Sequence, residues 1–162
     1  MNIENINKII ESLKTDTGNH FIMANFADYL NGMRAEQYVH CNTAMCICGW
    51  ANHHRLAQTD AAALTRANYG ALVADEEKGA AWLGIDWNTG HELFFLKDTF
   101  GAPLFESLET FDAEPPEKKR AAGIKVLEIL RDTGEVNWSA ALDHAGIEAV
   151  RDQEDEDPDD DY

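Results

Sequence analysis

Isoleucine and leucine recur at Ile3, Ile6, Ile9, Ile10 and Leu13. Steps of three and four residues predict an amphipathic first helix over residues 3–13, with one apolar stripe. Thr15–Asn19 contains Gly18 and reads as a turn, and Asn31-Gly32 reads as a second. His20-Phe-Ile-Met between them is short and apolar and could be extended. Further on, Thr43 is placed to cap a helix over 44–57, and Thr59-Asp60 a further helix through about Ala67. Asp75-Glu-Glu-Lys puts acids at the positive end of another helix, which Gly84 would end in a left-handed conformation. Asn88 to Leu96 and Leu104 to Leu108 each suit a short helix. The clearest pattern follows Pro115-Pro116, since proline fits a first helical turn. Ala121, Ile124, Leu127 and Leu130, with Ala122 and Val126 alongside, make a broad apolar face that stops at Gly134. Ser139 would cap a last helix ending at Gly146.

Few segments alternate with period two, and no internal repeat is present. The pattern therefore predicts a mainly α, single compact helical domain over 1–151, with room for one small β-hairpin. Residues 152–162 have no apolar pattern and read as an acidic tail, disordered when unbound. The chain has 162 residues and is 44% hydrophobic, enough for one core. Trp50, Trp82, Leu127 and Leu130 are the expected core anchors.

Charge changes the functional picture. Thirty acidic side chains face 13 basic ones, a formal net charge of −17. Residues 1–70 are nearly neutral, while residues 71–151 and the tail each carry a net −8. Such a chain repels nucleic acid and anionic lipid. The one basic cluster, Lys118-Lys119-Arg120, lies beside Glu114 and Glu117 and reads as a solvated helix face. The opening MNIENINKIIESLK lacks the basic start and apolar stretch of a signal peptide, so a cytoplasmic location is expected.

Cys41, Cys46 and Cys48 cluster with His40, His53 and His54. Thiolate and imidazole are zinc ligands, and Cys41, Cys46 and His53 are the candidate set. On a regular helix, however, Cys46 and Cys48 point about 200° apart, and Cys46 and His53 lie about 10 Å apart along the axis. A second reading makes Cys46, at the third position after Thr43, a thiolate nucleophile activated by the helix N-terminus, with His40 or His53 as base. The reading that the spacing favours is structural. Cys46, Gly49, Trp50 and His53 share one face of a packed core helix, with no catalytic residue, metal or cofactor.

Cys41-x-Thr43-x-x-Cys46-Ile47-x-Gly49-Trp50 resembles the C-x-T-x-x-C-I-x-G-W stretch of small uncharacterised phage and bacterial proteins. Ala81-Trp-Leu-Gly84-Ile, Leu93-Phe94 and Thr133-Gly134-Glu-Val136 are similar to that group too, so the resemblance spans roughly residues 20–137. Asn42 and Cys48 stand where the group is expected to carry glycine and alanine. The resemblance implies a phage or mobile-element context in a bacterial host cell and no particular chemistry.

The chain has no phosphate-binding loop, dinucleotide fingerprint or nucleophile elbow. Asp86–Glu92 is a poor calcium loop, because Lys97 stands where the bidentate glutamate belongs. The expected function is inhibition by binding. The partner would be a basic, nucleic-acid-handling host defence protein (a restriction enzyme, CRISPR effector or nuclease), engaged by DNA mimicry without direct nucleic-acid or membrane contact. The expected partner-binding acids are Glu106, Glu109, Asp112, Glu114 and Glu117, with Asp152, Glu154, Asp155, Glu156, Asp157, Asp159, Asp160 and Asp161 of the tail. The alternative is a small thiol- or zinc-dependent protein built on Cys41, Cys46 and the histidines.

Overall fold

The computed structural model describes residues 1–15, 46–65, 72–97, 104 and 111–149, and six α-helices lie wholly among them. They are α1 (Ile3–Thr15), α2 (Ile47–Thr59), α3 (Glu76–Leu83), α4 (Trp87–Phe94), α5 (Pro116–Thr133) and α6 (Trp138–Ala145), with a 3-10 turn at Ala61–Thr65. No strand occurs among the described residues. The extended piece at His20, the turn at Asn31, the helix expected over 104–108 beyond Leu104 itself, and the tail lie outside them.

The apolar stripe of α1 is buried as its spacing requires. Ile6, Ile9, Ile10 and Leu13 are at most 1% exposed, while Ile3 stays in solvent at the helix start. Burying each such side chain stabilises the fold by about 1.5–3 kcal/mol. The stripe packs on α2, α3 and α5 in one continuous core. No described helix is long and apolar enough to cross a membrane.

Helix ends follow the predicted chemistry in most places. Asp75 caps α3 by accepting from Lys78 N at 3.0 Å. Helix α4 starts one residue before the expected Asn88, where Asp86 caps it by accepting from Thr89 N at 3.0 Å. Gly84, Gly134 and Gly146 end α3, α5 and α6 with positive φ. Two further caps differ from expectation. Helix α2 begins at Ile47, so Cys46 is itself the N-cap and its Sγ accepts from Gly49 N at 3.4 Å. Helix α6 is capped by Asn137 rather than Ser139, with Asn137 Oδ1 accepting from Ala140 N at 2.9 Å. The earlier start places Trp138 at the first helical position, facing the core.

The tryptophans also exchange roles. Trp50 and Trp82 are only half-buried against the core, whereas Trp138 is wholly buried. Its Nε1–H donates to the carbonyls of Glu92 and Leu93 at 3.2 and 3.1 Å, and its ring meets Phe111 edge-on. A buried indole needs such a partner, and the last turn of α4 needs donors. Leu127 and Leu130 are buried as expected.

Lys119 corrects the sequence reading. The basic cluster is not wholly a solvated face, because Lys119 is 1% exposed and lies on the same side of α5 as Ala122, Val126 and Leu130. Its stem lies in the core and its Nζ donates to the Asp112 carbonyl at 3.0 Å. Lys118 donates to Gly146 O at 2.8 Å, which ties α5 to the end of α6.

Asn52 holds the middle of the fold. It is fully buried on α2, and its Nδ2 donates to Asp75 O at 2.7 Å and Val73 O at 3.2 Å. Its Oδ1 accepts from Arg55 Nε at 2.9 Å. Across from it, Gly79 leaves room on α3, where a Cβ would lie 3.1 Å from Asn52 Nδ2 and 3.3 Å from Cys48 Sγ. At the end of α3, Asn2 N donates to Leu83 O at 2.7 Å and Asn5 Nδ2 donates to Trp82 O at 2.7 Å. A Cβ on Gly84 would fall 2.8 Å from Asn2 N.

Gly84 and Gly134 make a controlled pair. Both have positive φ, but nothing lies within 4 Å of the Cβ position at Gly134. We predict that Gly134→Ala costs about 1 kcal/mol, from the left-handed backbone alone. Gly84→Ala should cost at least about 2 kcal/mol, since it also pushes the chain start off α3. Urea unfolding of both variants measures the difference, and equal losses would contradict the close approach.

Candidate functional site

The cysteine and histidine cluster resolves into a buried thiol layer and a separate imidazole layer. Cys46 and Cys48 are 3% and 0% exposed. Burial pushes the Cys46 thiol up to about 11, against the opposing hydrogen bond from Gly49. Burial pushes Cys48 up further, helped by the neighbouring Cys46, Glu76 and Asp75. The Cys48 thiol donates to Val73 O at 3.8 Å and accepts from Asn52 Nδ2 at 3.6 Å. An N-cap position normally favours a thiolate. Desolvation outweighs that benefit here, and this opposes the alternative reading of Cys46 as an activated nucleophile. Among the described residues, no group of three or more His, Cys, Asp or Glu side chains is placed to hold a metal ion. Cys41, the third member of the candidate zinc set, lies outside the described residues.

The imidazoles belong to an aromatic stack between α2 and α3. The His54 ring lies between Trp50 at 6.1 Å and Trp82 at 5.9 Å, nearly parallel to the latter. His53 meets Trp50 and His54 edge-on. Trp82 Nε1 donates to Gln58 Oε1 at 3.2 Å. From α1, Ser12 Oγ approaches His54 Nε2 at 2.8 Å. That oxygen also lies 3.0 Å from Lys8 O, which can only accept. The serine proton therefore goes to Lys8, and His54 Nε2–H donates to Ser12. A base that is already donating cannot take the hydroxyl proton, so this Ser–His contact is a brace between helices rather than a nucleophile.

A second aromatic ladder runs along α4. Trp87 stacks on His91 at 5.7 Å, and His91 lies 4.5 Å from Phe95. Lys97 Nζ is 3.0 Å from His91 Nε2 and can only donate, so the ring's proton sits on Nδ1. That Nδ1 has no hydrogen-bond partner, and the nearest carboxylate oxygen, Glu76 Oε2, is 3.7 Å away. Sequence reading passed over this ladder, although its spacing of four residues was present as a signal.

The expected partner-binding acids are divided. Asp112 is half-buried under α5, where its carbonyl takes the Lys119 ammonium. Burial lowers the Lys119 pKa, and the Asp112 carboxylate opposes that shift. Glu114 pairs with Lys118 at 3.8 Å, and Glu117 is exposed. Glu106, Glu109 and the eight tail acids lie outside the described residues. The structure therefore brings Asp112 and Glu114 against cations of α5 and leaves Glu117 in solvent.

No protein-family model matches the chain, and no curated protein or solved structure matches it significantly.

Two outcomes follow from these surroundings. With the Cys46 thiol pushed from 9.0 up to about 11, its thiolate fraction falls about a hundredfold. We predict that iodoacetamide labels Cys46 and Cys48 on that order more slowly in the folded chain than in urea, as read by peptide mapping. Fast labelling of folded Cys46 would restore the thiol reading.

The histidines set the second outcome. Burial lowers both His53 and His54 below the usual 6.5, and for His54 the nearby His53 and Lys8 add to the effect. The unfolded chain then binds more protons, so this contribution to stability is complete above the unfolded pKa. It is lost as the pH falls through 6.5 toward the folded values. Urea midpoints should drop between about pH 7 and 5, and His54→Gln should flatten that drop.

Proposed function

We propose that the chain is an acidic phage-type inhibitor acting in the cytoplasm of a bacterial host. It binds the basic nucleic-acid groove of a host defence protein such as a restriction enzyme, CRISPR effector or nuclease. The observation that carries this reading is a −17 chain in which at least eight of the ten cations among the described residues have partners within the fold. Lys8, Lys14, Lys78, Lys118 and Arg131 each hold a neighbouring carboxylate. Arg55 is held by Asn52, Lys97 lies on His91, and Lys119 is buried.

Such surface pairs add little to stability. Their effect here is electrostatic, because each sets a carboxylate beside a positive charge. Glu77, Glu117, Glu135, Asp143 and Glu148 remain exposed. Spaced carboxylates on a rigid helical body can stand in for phosphates in a basic groove, and the tail adds eight more acids. The burial of Cys46 and Cys48 weighs against the thiol alternative.

The discriminating variant is Cys46→Ser, because serine is a better N-cap and keeps the bond from Gly49. We predict that the full chain captures a nuclease or DNA-binding complex from bacterial lysate at about 50 mM salt and releases it at about 500 mM. A version ending at Arg151 should bind more weakly, and Cys46→Ser should bind unchanged. Binding that survives salt and disappears in Cys46→Ser would overturn the reading.

A further inference from the structure

Met1, Ile3 and Trp87 are the exposed large hydrophobic residues of the described chain, at 50%, 52% and 51% exposure. The chain start that carries Met1 and Ile3 adjoins the link from α3 to Trp87. Asn2 N is bonded to Leu83 O, the Met1 backbone lies against Gly84, and Trp87 starts α4 three residues later. Tryptophan left half in solvent loses apolar burial, and it is the residue type most enriched at binding hot spots.

Trp87 is also held in place. Its ring stacks on His91, which rests against Phe95 and is fixed from the side by Lys97. Less rotamer freedom is therefore lost when something packs on the indole. The surroundings are acidic. Asp86 adjoins Trp87 in the chain, and Glu76 approaches His91. Residues 75–97 contain five acids and two bases, and one of those bases, Lys78, is paired with Asp75.

These facts separate the possible occupants. A second copy would bring another −17 against the same surface, so self-association is opposed. A basic protein is attracted. Among cationic side chains, arginine suits the site best, since its planar, weakly hydrated guanidinium stacks on an indole while pairing with a carboxylate. We infer that the Trp87–His91–Phe95 ladder with Asp86 is a docking point for an arginine side chain on a basic partner protein. The guanidinium extends the ladder by one layer. This rests on the reading that the partner is basic, and it names where that partner is gripped.

The test uses the full chain, labelled with nitrogen-15 at its four indoles. The Trp87 signal is identified by its loss in Trp87→Phe. Hexa-arginine and hexa-lysine peptides are titrated at low and high salt. Hexa-arginine should move the Trp87 indole signal saturably and bind roughly two- to fivefold more tightly than hexa-lysine. Trp87→Ala should remove that preference while leaving the unfolding midpoint nearly unchanged, because the side chain is exposed. If Trp87→Ala is unfolded, Trp87→Phe, with its weaker ring, serves for the same comparison and should reduce the preference.

Equal affinity for the two peptides, or movement confined to other signals, overturns the docking point and leaves the basic-partner reading standing. Failure of both peptides to bind overturns both. Sedimentation that shows a dimer lost in Trp87→Ala assigns the patch to a second copy and overturns the inference.

Discussion

A buried side-chain amide must find partners for its donors and its acceptor, and at Asn52 that requirement organises the centre of the protein. Its Nδ2 reaches the carbonyls of Val73 and Asp75 just before α3 starts, and its Oδ1 takes Arg55. Left unpaired, such groups would each cost about 1–3 kcal/mol. The entry to α3 is therefore held at one distance from α2, and Gly79 is required where the two helices close. The height of α3 then sets the positions of Leu83 and Trp82, whose carbonyls receive Asn2 and Asn5 of α1. From α1, Asn7 accepts from Arg131 of α5, so the chain of fixed contacts crosses the bundle.

Periodicity made the helices legible, and end chemistry made many of their boundaries legible. The stripe of α1, the acidic start of α3 and the three glycine stops follow from local sequence alone, while the Asp86 cap of α4 was missed. The residues that lock the helices together were not visible in that way. Asn52, Trp138 and Lys119 are polar or amphipathic side chains whose partners are backbone carbonyls. Those of Trp138 lie 45 and 46 positions away. A hydropathy pattern reports which side of a helix is apolar. It does not report which polar group that side can satisfy.

The candidate site was legible as composition and only partly as geometry. The clustering of cysteine and histidine was plain, but its division into a dry thiol layer and a stacked imidazole layer depends on Trp82 and Ser12 from other helices. Cys46 shows why a motif argument stops short. One residue's shift of the helix start turns it into a cap, and burial reverses the direction of its acidity. The acids behave similarly. Asp112 and Glu114 are neighbours of Glu117 in sequence, yet Lys119 bonds the Asp112 main-chain carbonyl and Lys118 pairs with the Glu114 carboxylate. Net charge is a sum over the chain, whereas the field a partner meets depends on which side chains remain in solvent.

The indole of Trp138 carries a consequence for the order of assembly. It supplies donors to the last turn of α4, while Arg131 reaches back 124 positions to Asn7. During synthesis, the first helix and the fourth must therefore wait for α5 and α6, which are made later. Contacts closing over such separations slow folding, and they leave the apolar stripe of α1 uncovered in the growing chain. On a nascent polypeptide that stripe, Ile6 to Leu13, stays partly exposed until α5 joins α2 and α3 in covering it.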